Sequence, residues 1–414
     1  MDIVLFFIWL FLLGMVSNFG GKILEYIKLP SLIGMILAGM ILGPAFFNFL
    51  PETLLKSSSF IKDLALVTVL FIGGLGISKE QMKRIGKPAI LLSSVPALLE
   101  GFTIGLLSMI LLDFTFIQGC ILGFIIAAVS PAVLIPAMVD LIEKRRGENK
   151  AIPQLLLVGA SADDTIAITL FTTFLSLYLT GGNNISTGLG MKLLLIPLSI
   201  IFSIFMGYIL GFISKFIIKK INNNYLKTVS IFFICILMRG IEKYFHLDFF
   251  NSLLSIMIFG FYIRNNLEED SKNILKIMNG IWKYGKLYLF SLVGVAINPK
   301  LVISYFAIGV LILIISLSVR SVGVLISLIG TDLNLKERLF CVIAYLPKAT
   351  VQSAKSGIPL EMGVAGGDVM EGIAILSVLI TAPIGAIGIR LTKDKFLYYP
   401  GKEIKNKKMG EALL

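Results

Sequence analysis

"AAVSPAVLIPAM" (residues 127–138) sets Pro131 and Pro136 in the middle of an apolar run long enough to cross a bilayer, and "AYLPKATVQSAKSGIP" (344–359) does the same to a second run with Pro347 and Pro359. Proline removes a backbone donor and its ring clashes with the preceding turn, so each run should open near its middle, freeing carbonyls and amides. In lipid such backbone is tolerated only where it faces protein or a wet cavity. Interrupted spans at corresponding places in two halves point to a transporter built from inverted repeats, with its site near the midplane. No residue-level repeat accompanies these two, so the symmetry rests on hydropathy and proline placement.

The rest of the chain fits that setting. Of 414 residues, 57% are hydrophobic and 15% charged, with a mean hydropathy of +0.92, well outside the usage of soluble domains. A helix needs about 20 apolar residues to cross the hydrocarbon core. Thirteen such spans are expected, at 3–27, 30–46, 60–78, 87–112, 115–142, 152–180, 188–214, 226–245, 249–265, 272–297, 301–330, 335–357 and 371–392. The fold class is therefore an all-α polytopic membrane protein. The opening "MDIVLFFIWLFLLG" has neither a basic leader nor a cleavage site and reads as a retained first span.

Orientation follows from the cations. "KEQMKRIGK", "EKRRGENK", "KFIIKKINNNYLK", "RNNLEEDSKNILK" and the tail "KDKFLYYPGKEIKNKK" are rich in Lys and Arg, whereas "LDFT", "TGGNN" and "IPLEMGVAGGDVMEG" hold few or none. The positive-inside rule then places the amino terminus outside and the carboxyl terminus in the cytoplasm. The net charge of +12 is spread over alternate loops, so a nucleic-acid partner is not expected. Cys120, Cys235 and Cys341 lie far apart in apolar runs, which excludes a disulfide framework.

Six ionisable residues sit deep in spans: Glu100, Asp163, Asp164, Arg320, Lys348 and Lys355. Each costs roughly 2.5–3.5 kcal/mol at a helix centre on insertion scales, so such groups usually face the bundle interior and mark an ion or proton path. Asp163 and Asp164, in "LLLVGASADDTIAITLF" (155–171), diverge by about 100° on a helix yet share one small cavity. Two carboxylates in low dielectric resist double ionisation, and oxygen ligands suit a hard cation. The pair is thus the expected proton carrier and metal site for Na+ or Li+, with Ser130 adding an oxygen from the first break. A salt-bridged hinge is the competing reading, but one aspartate would suffice for it. The small residues of "GASA" (159–162) offer room for another backbone. Arg320 can pair with an Asp of the site or with Glu100. Lys348 is read as offsetting the partial negative charge of an opened helix end, and Lys355 as a residue that snorkels to the interface. His246, the only histidine, reads as a surface residue beside Asp248.

These stretches resemble the monovalent cation/proton antiporter superfamily and, within it, the NHA-type sodium/proton exchangers. The resemblance is carried by "LPSLIGMILAGMILGP" (29–44), "AAVSPAVLIPAMVDL" (127–141), "AIPQLLLVGASADDTIAITLF" (151–171), "LNLKERLFCVIAYLPKATVQSA" (333–354) and "LSVLITAPIGAIGI" (376–389). It implies a homodimer with a dimerisation domain (1–80 and 226–298), a core ion-transport domain (86–180 and 300–395), a linking helix (188–220) and a cytoplasmic basic tail (396–414). It also implies an elevator movement of the core, with Asp164 as principal carrier, Asp163 as its partner, and Arg320 paired with Glu100. Some relatives carry lysine at the position of Arg320 and an aspartate in the first break, where this chain has "VSPAV". Arginine stays protonated in proteins, so if Arg320 neutralises one acid, a single carboxylate cycles and exchange is electroneutral.

The expected function is therefore exchange of cytoplasmic Na+ or Li+ for external H+ across the cell membrane, with no cofactor beyond the transported ions. A K+/H+ exchanger or a sodium-coupled organic-anion symporter of the same fold is the alternative. An intramembrane aspartyl enzyme fits poorly: such enzymes place two acids on separate helices beside a Gly-x-Gly-Asp signature, whereas this chain has adjacent acids and only "AGGD" at 365–368.

Overall fold

The computed structural model describes residues 2–26, 29–179, 185–245, 247, 249–297 and 303–399, and every regular element among them is helical. His246, Asp248, the "TGGNN" loop and the tail beyond 399 lie outside the described residues. The helices are α1 (Asp2–Tyr26), α2 (Ser31–Leu42), α3 (Glu52–Leu75), α4 (Lys79–Leu111), α5 (Phe116–Ile126), α6 (Pro131–Glu143), α7 (Ile152–Leu179), α8 (Ile185–Lys220), α9 (Asn224–Tyr244), α10 (Ser252–Asn266) and α11 (Glu268–Val295). They continue as α12 (Phe306–Ser327), α13 (Leu335–Ala344), α14 (Thr350–Lys355), α15 (Ile358–Glu361) and α16 (Gly367–Phe396). Each expected span holds one helix, except that 115–142 is split into α5 and α6 and 335–357 into α13 and α14. The splits fall at Pro131 and Pro347, whereas Pro136 lies inside α6 and Pro359 in α15.

Polar caps rather than apolar residues start several helices, which puts the start of α4 ahead of the residue that hydropathy suggests. Ser78 and Gln81 form a capping box that starts α4 at Lys79, Thr115 and Gln118 do so for α5, and Asn334 and Glu337 for α13. Each box satisfies two orphan amides of the first turn. The correction that matters most is α3, which starts at Glu52 behind Pro51 rather than near residue 60. Asp63 is thereby carried well into the helix, where it is buried, and it joins the deep ionisable groups that the sequence reading confined to six.

Packing sorts the helices into two groups. α1, α2 and α3 lie against α9, α10 and α11; α4 to α7 lie against α12, α13, α14 and α16; α8 touches α10 on one side and α7 on the other. Large apolar side chains on the outer faces stay exposed, including Phe7, Phe11 and Phe19 of α1 and Ile201 and Phe205 of α8. Among the described residues, nine helical segments are long and apolar enough to cross a membrane, counting α5–α6 as one. Such faces, costly in water, are what lipid contact requires.

Glycine sets the closest approach in the second group. A Cβ on Gly123 of α5 would meet the carbonyl oxygen of Gly101 in α4, and one on Gly119 would meet that of Gly105. The two backbones therefore touch. This contact brings Glu100 of α4 to the broken end of α5.

Candidate cation site

The two breaks cross back to back. α5 ends at Ala127, and Ser130 restarts the chain in an extended conformation ahead of Pro131 at the first turn of α6. The Ser130 amide donates to the carbonyl of Pro347 in the other break at 2.8 Å. An interrupted helix leaves its last carbonyls without intrahelical donors, and here side chains of the second break supply them. Gln352 Nε2 donates to the carbonyls of Ile125, Ile126 and Ala128 at 3.3, 3.1 and 2.9 Å. Its Oε1 accepts from the Ala349 amide at 2.9 Å. Lys348 Nζ reaches the Ala127 carbonyl at 3.3 Å, and its own amide donates to Thr381 Oγ1 of α16 at 2.8 Å.

The charges converge on that crossing, and all are fully buried. Glu100 Oε2 lies 2.6 Å from Arg320 Nη1 and 2.6 Å from Lys348 Nζ. Arg320 Nε donates to the Tyr345 carbonyl at 2.8 Å and Nη1 to the Ala127 carbonyl, while the guanidinium lies over the Tyr345 ring. Its Nη2 stands 3.7 Å from Asp163 Oδ1. Asp163 Oδ2 accepts from the Val129 amide at 2.6 Å. Two acids, Glu100 and Asp163, are thus set against two bases, Arg320 and Lys348. Both partners the sequence left open for Arg320 are engaged, Glu100 at the shorter distance.

Asp164 is the fifth charge. Its Oδ1 is buried with no hydrogen-bond partner among the described residues, and so is the Ser130 hydroxyl. Buried polar atoms are ordinarily satisfied, so both can accept a ligand. Asp163 and Ser130 are fully buried, but Asp164 keeps 7% of its surface exposed. The "GASA" stretch behaves otherwise than expected: the space at Gly159 is filled by the Tyr345 hydroxyl and by Leu92 Cβ, both side-chain atoms, rather than by another backbone. Lys355 stands apart, within electrostatic range of Arg239, Glu242 and Lys243. The near-signature "AGGD" lies at the start of α16, where Asp368 accepts from the Tyr305 hydroxyl at 2.8 Å. Sequence reasoning passed over Gln352, Tyr345 and Thr381. None carries a charge, and only the position of Gln352 three residues beyond Ala349 hinted at a role.

A family model described as "Sodium/hydrogen exchanger, transmembrane" matches residues 8–393. The chain belongs to the sodium/hydrogen exchanger family. Among curated relatives of this exchanger, sodium/hydrogen exchanger 9B1 of Mus musculus is 31% identical over 91% of this chain and 69% of its own length. Sodium/hydrogen exchanger 9B2 of Homo sapiens is 30% identical over 91% of this chain and 73% of its own. The sodium proton antiporter MjNhaP1 of Methanocaldococcus jannaschii shares the fold, with a TM-score of 0.73 at 20% identity over 96% of this chain and 99% of that one. These relatives are transporters, and the exchanger described here is a multi-pass membrane protein of their kind rather than an enzyme.

Proposed function

We propose that this exchanger carries cytoplasmic Na+ or Li+ outward in return for external H+, and that both ions compete for Asp164. The observation that carries the reading is the charge arrangement at the crossing. Glu100 and Asp163 are matched by Arg320 and Lys348, so an ionised Asp164 leaves one unmatched negative charge. One proton or one alkali cation restores neutrality, and a buried charge is stable only when paired. Carboxylate oxygen suits a hard monovalent ion, with Ser130 Oγ as a second ligand and Asp163, held by Arg320 and the Val129 amide, shaping the pocket. Because Arg320 does not release its proton, exchange is one cation for one proton.

α4 to α7 with α12 to α16, the helices that make up most of residues 86–180 and 300–395, form the moving core. α1 to α3 with α9 to α11, within 1–80 and 226–298, form the dimerisation domain of a homodimer, and α8, within 188–220, links them. The core moves as an elevator that exposes Asp164 to each side in turn. The protein lies in the cell membrane with its amino terminus outside and its carboxyl terminus in the cytoplasm, including the basic tail 396–414.

Proteoliposomes loaded with a pH dye test the site. Added Na+ or Li+ moves protons in the wild type, and Asp164→Asn abolishes the response; unchanged transport by that variant sinks the assignment.

A further inference from the structure

Beyond Asp164, α7 carries a second polar feature. Thr165, Thr169 and Thr172 follow at i, i+4 and i+7, so hydroxyls line one helix face for about 10 Å from the residue beside the carrier toward the far end of the span. Thr169 Oγ1 donates to the Thr165 carbonyl at 2.7 Å, and Thr172 Oγ1 to the Thr169 carbonyl at 3.0 Å. A hydroxyl has one proton and two lone pairs. With the proton committed to their own helix, both present only acceptor oxygen to their surroundings.

These threonines border a cavity of about 180 Å³, closed on the opposite side by Ser199 of α8, Glu242 of α9 and Asn251 ahead of α10. Among the described residues no cationic side chain lines it. The bases of α9 bind acids without lining the cavity: Arg239 bonds Asp63 Oδ1 through Nε and Nη2 at 3.1 and 3.0 Å and pairs through Nη1 with the cavity's own Glu242 at Oε2, an oxygen that also accepts from the Ser252 hydroxyl, while Lys243 binds Asp63 and Ser59. At its foot, Asn251 Nδ2 donates to Thr165 Oγ1. That amide is fixed from the side of α8 and α10, because the Asn251 backbone amide donates to Ser203 Oγ at 2.7 Å and its Oδ1 caps α10 at the Leu254 amide.

We propose that this cavity is a second alkali-cation site, a staging point between Asp164 and the membrane face at which α7 ends. Thr169 and Glu242 are its oxygen ligands, Thr172 stands at its mouth, and the Asn251–Thr165 bond separates it from the carrier. A water occupies about 30 Å³, so the cavity holds a cation with part of its hydration shell. Neutral hydroxyls and one carboxylate suit such a half-dehydrated monovalent ion, which then gives up its remaining water at Asp164. The proposal rests on the exchange reading above but is separable from it.

Thr172 is exposed at the mouth of the cavity and its hydroxyl serves only its own helix, so Thr172→Cys leaves the packing intact. The native cysteines are fully buried, which keeps background labelling low. In the full-length protein in proteoliposomes, Thr172→Cys should react several-fold faster with a trimethylammonium methanethiosulfonate than with the sulfonate reagent of similar size. Glu242→Gln should remove that preference. Na+ should slow the reaction where choline at equal ionic strength does not, and should still do so in Thr172→Cys/Asp164→Asn. Equal rates with the two reagents, no labelling, or protection that vanishes with Asp164→Asn overturns the site. A wild type that exchanges no Na+ for H+ in the same vesicles defeats the exchange reading instead.

Discussion

In the α5–α6 break the chain offers Ala127, Ala128, Val129 and Ser130, with no charge and a single hydroxyl; the α13–α14 break holds Lys348 and is followed by Gln352. Both passes open at proline, but apart from Arg320 of α12, which serves the carbonyls of Ala127 and Tyr345, the side-chain donors that quiet the opened backbone come from the second. Lys348 and Gln352 reach across to the carbonyls of Ile125 through Ala128, whereas the first break bonds Pro347 through the Ser130 amide. One repeat thus serves as scaffold for both. The other leaves the buried Ser130 hydroxyl with no hydrogen-bond partner among the described residues. Two proline breaks with unlike side chains give the crossing a structural side and, on the exchange proposed above, an ion side.

Substitutions on the two sides should separate stability from transport. The largest effect is expected for Arg320→Ala, because breaking a buried ion pair leaves its partners uncompensated at about 3–5 kcal/mol. Thermal unfolding in detergent should show a strongly lowered midpoint along with lost transport; a midpoint near that of wild type contradicts the buried network. Gln352→Leu comes next. It keeps the volume but strips the carbonyls of Ile125, Ile126 and Ala128 of a donor, at about 1–3 kcal/mol for an unsatisfied buried group. The same melt measures it, and a loss no greater than that of Ser130→Ala would erase the asymmetry. Ser130→Ala is the smallest structural change, within about 0.5 kcal/mol, since its hydroxyl has no partner among the described residues. Its effect belongs in transport, as a raised KM for Na+ in the dye assay. An unaltered KM removes Ser130 from the ligands.

What the sequence made legible was whatever is expensive in lipid. Prolines inside apolar runs located both breaks, and lone charges at 100, 163, 164, 320 and 348 located the cluster, because few other readings justify burying them. Less visible were groups whose role depends on geometry. Gln352 is uncharged and looks like any polar residue until α5 is seen to end against it. Asp63 was hidden by hydropathy, which placed the start of α3 near residue 60 when the helix begins at Glu52. Arg239, Glu242 and Lys243 read as span-end charges until α9 is set beside α3. Lys348 illustrates both limits: the break suggested that it offsets a helix end within a charge network with Arg320 and Glu100, but which oxygen it binds follows only from the geometry.

The central claim is that only Asp164 changes protonation, so exchange is one cation for one proton. The direct measurement sets a Na+ gradient against a pH gradient in proteoliposomes and finds the ratio at which net proton flux stops, with the membrane potential clamped by K+ and valinomycin. The account predicts that flux stops when the Na+ ratio equals the H+ ratio, at every clamped potential. A null point that moves with potential means that a second group cycles, and contradicts it.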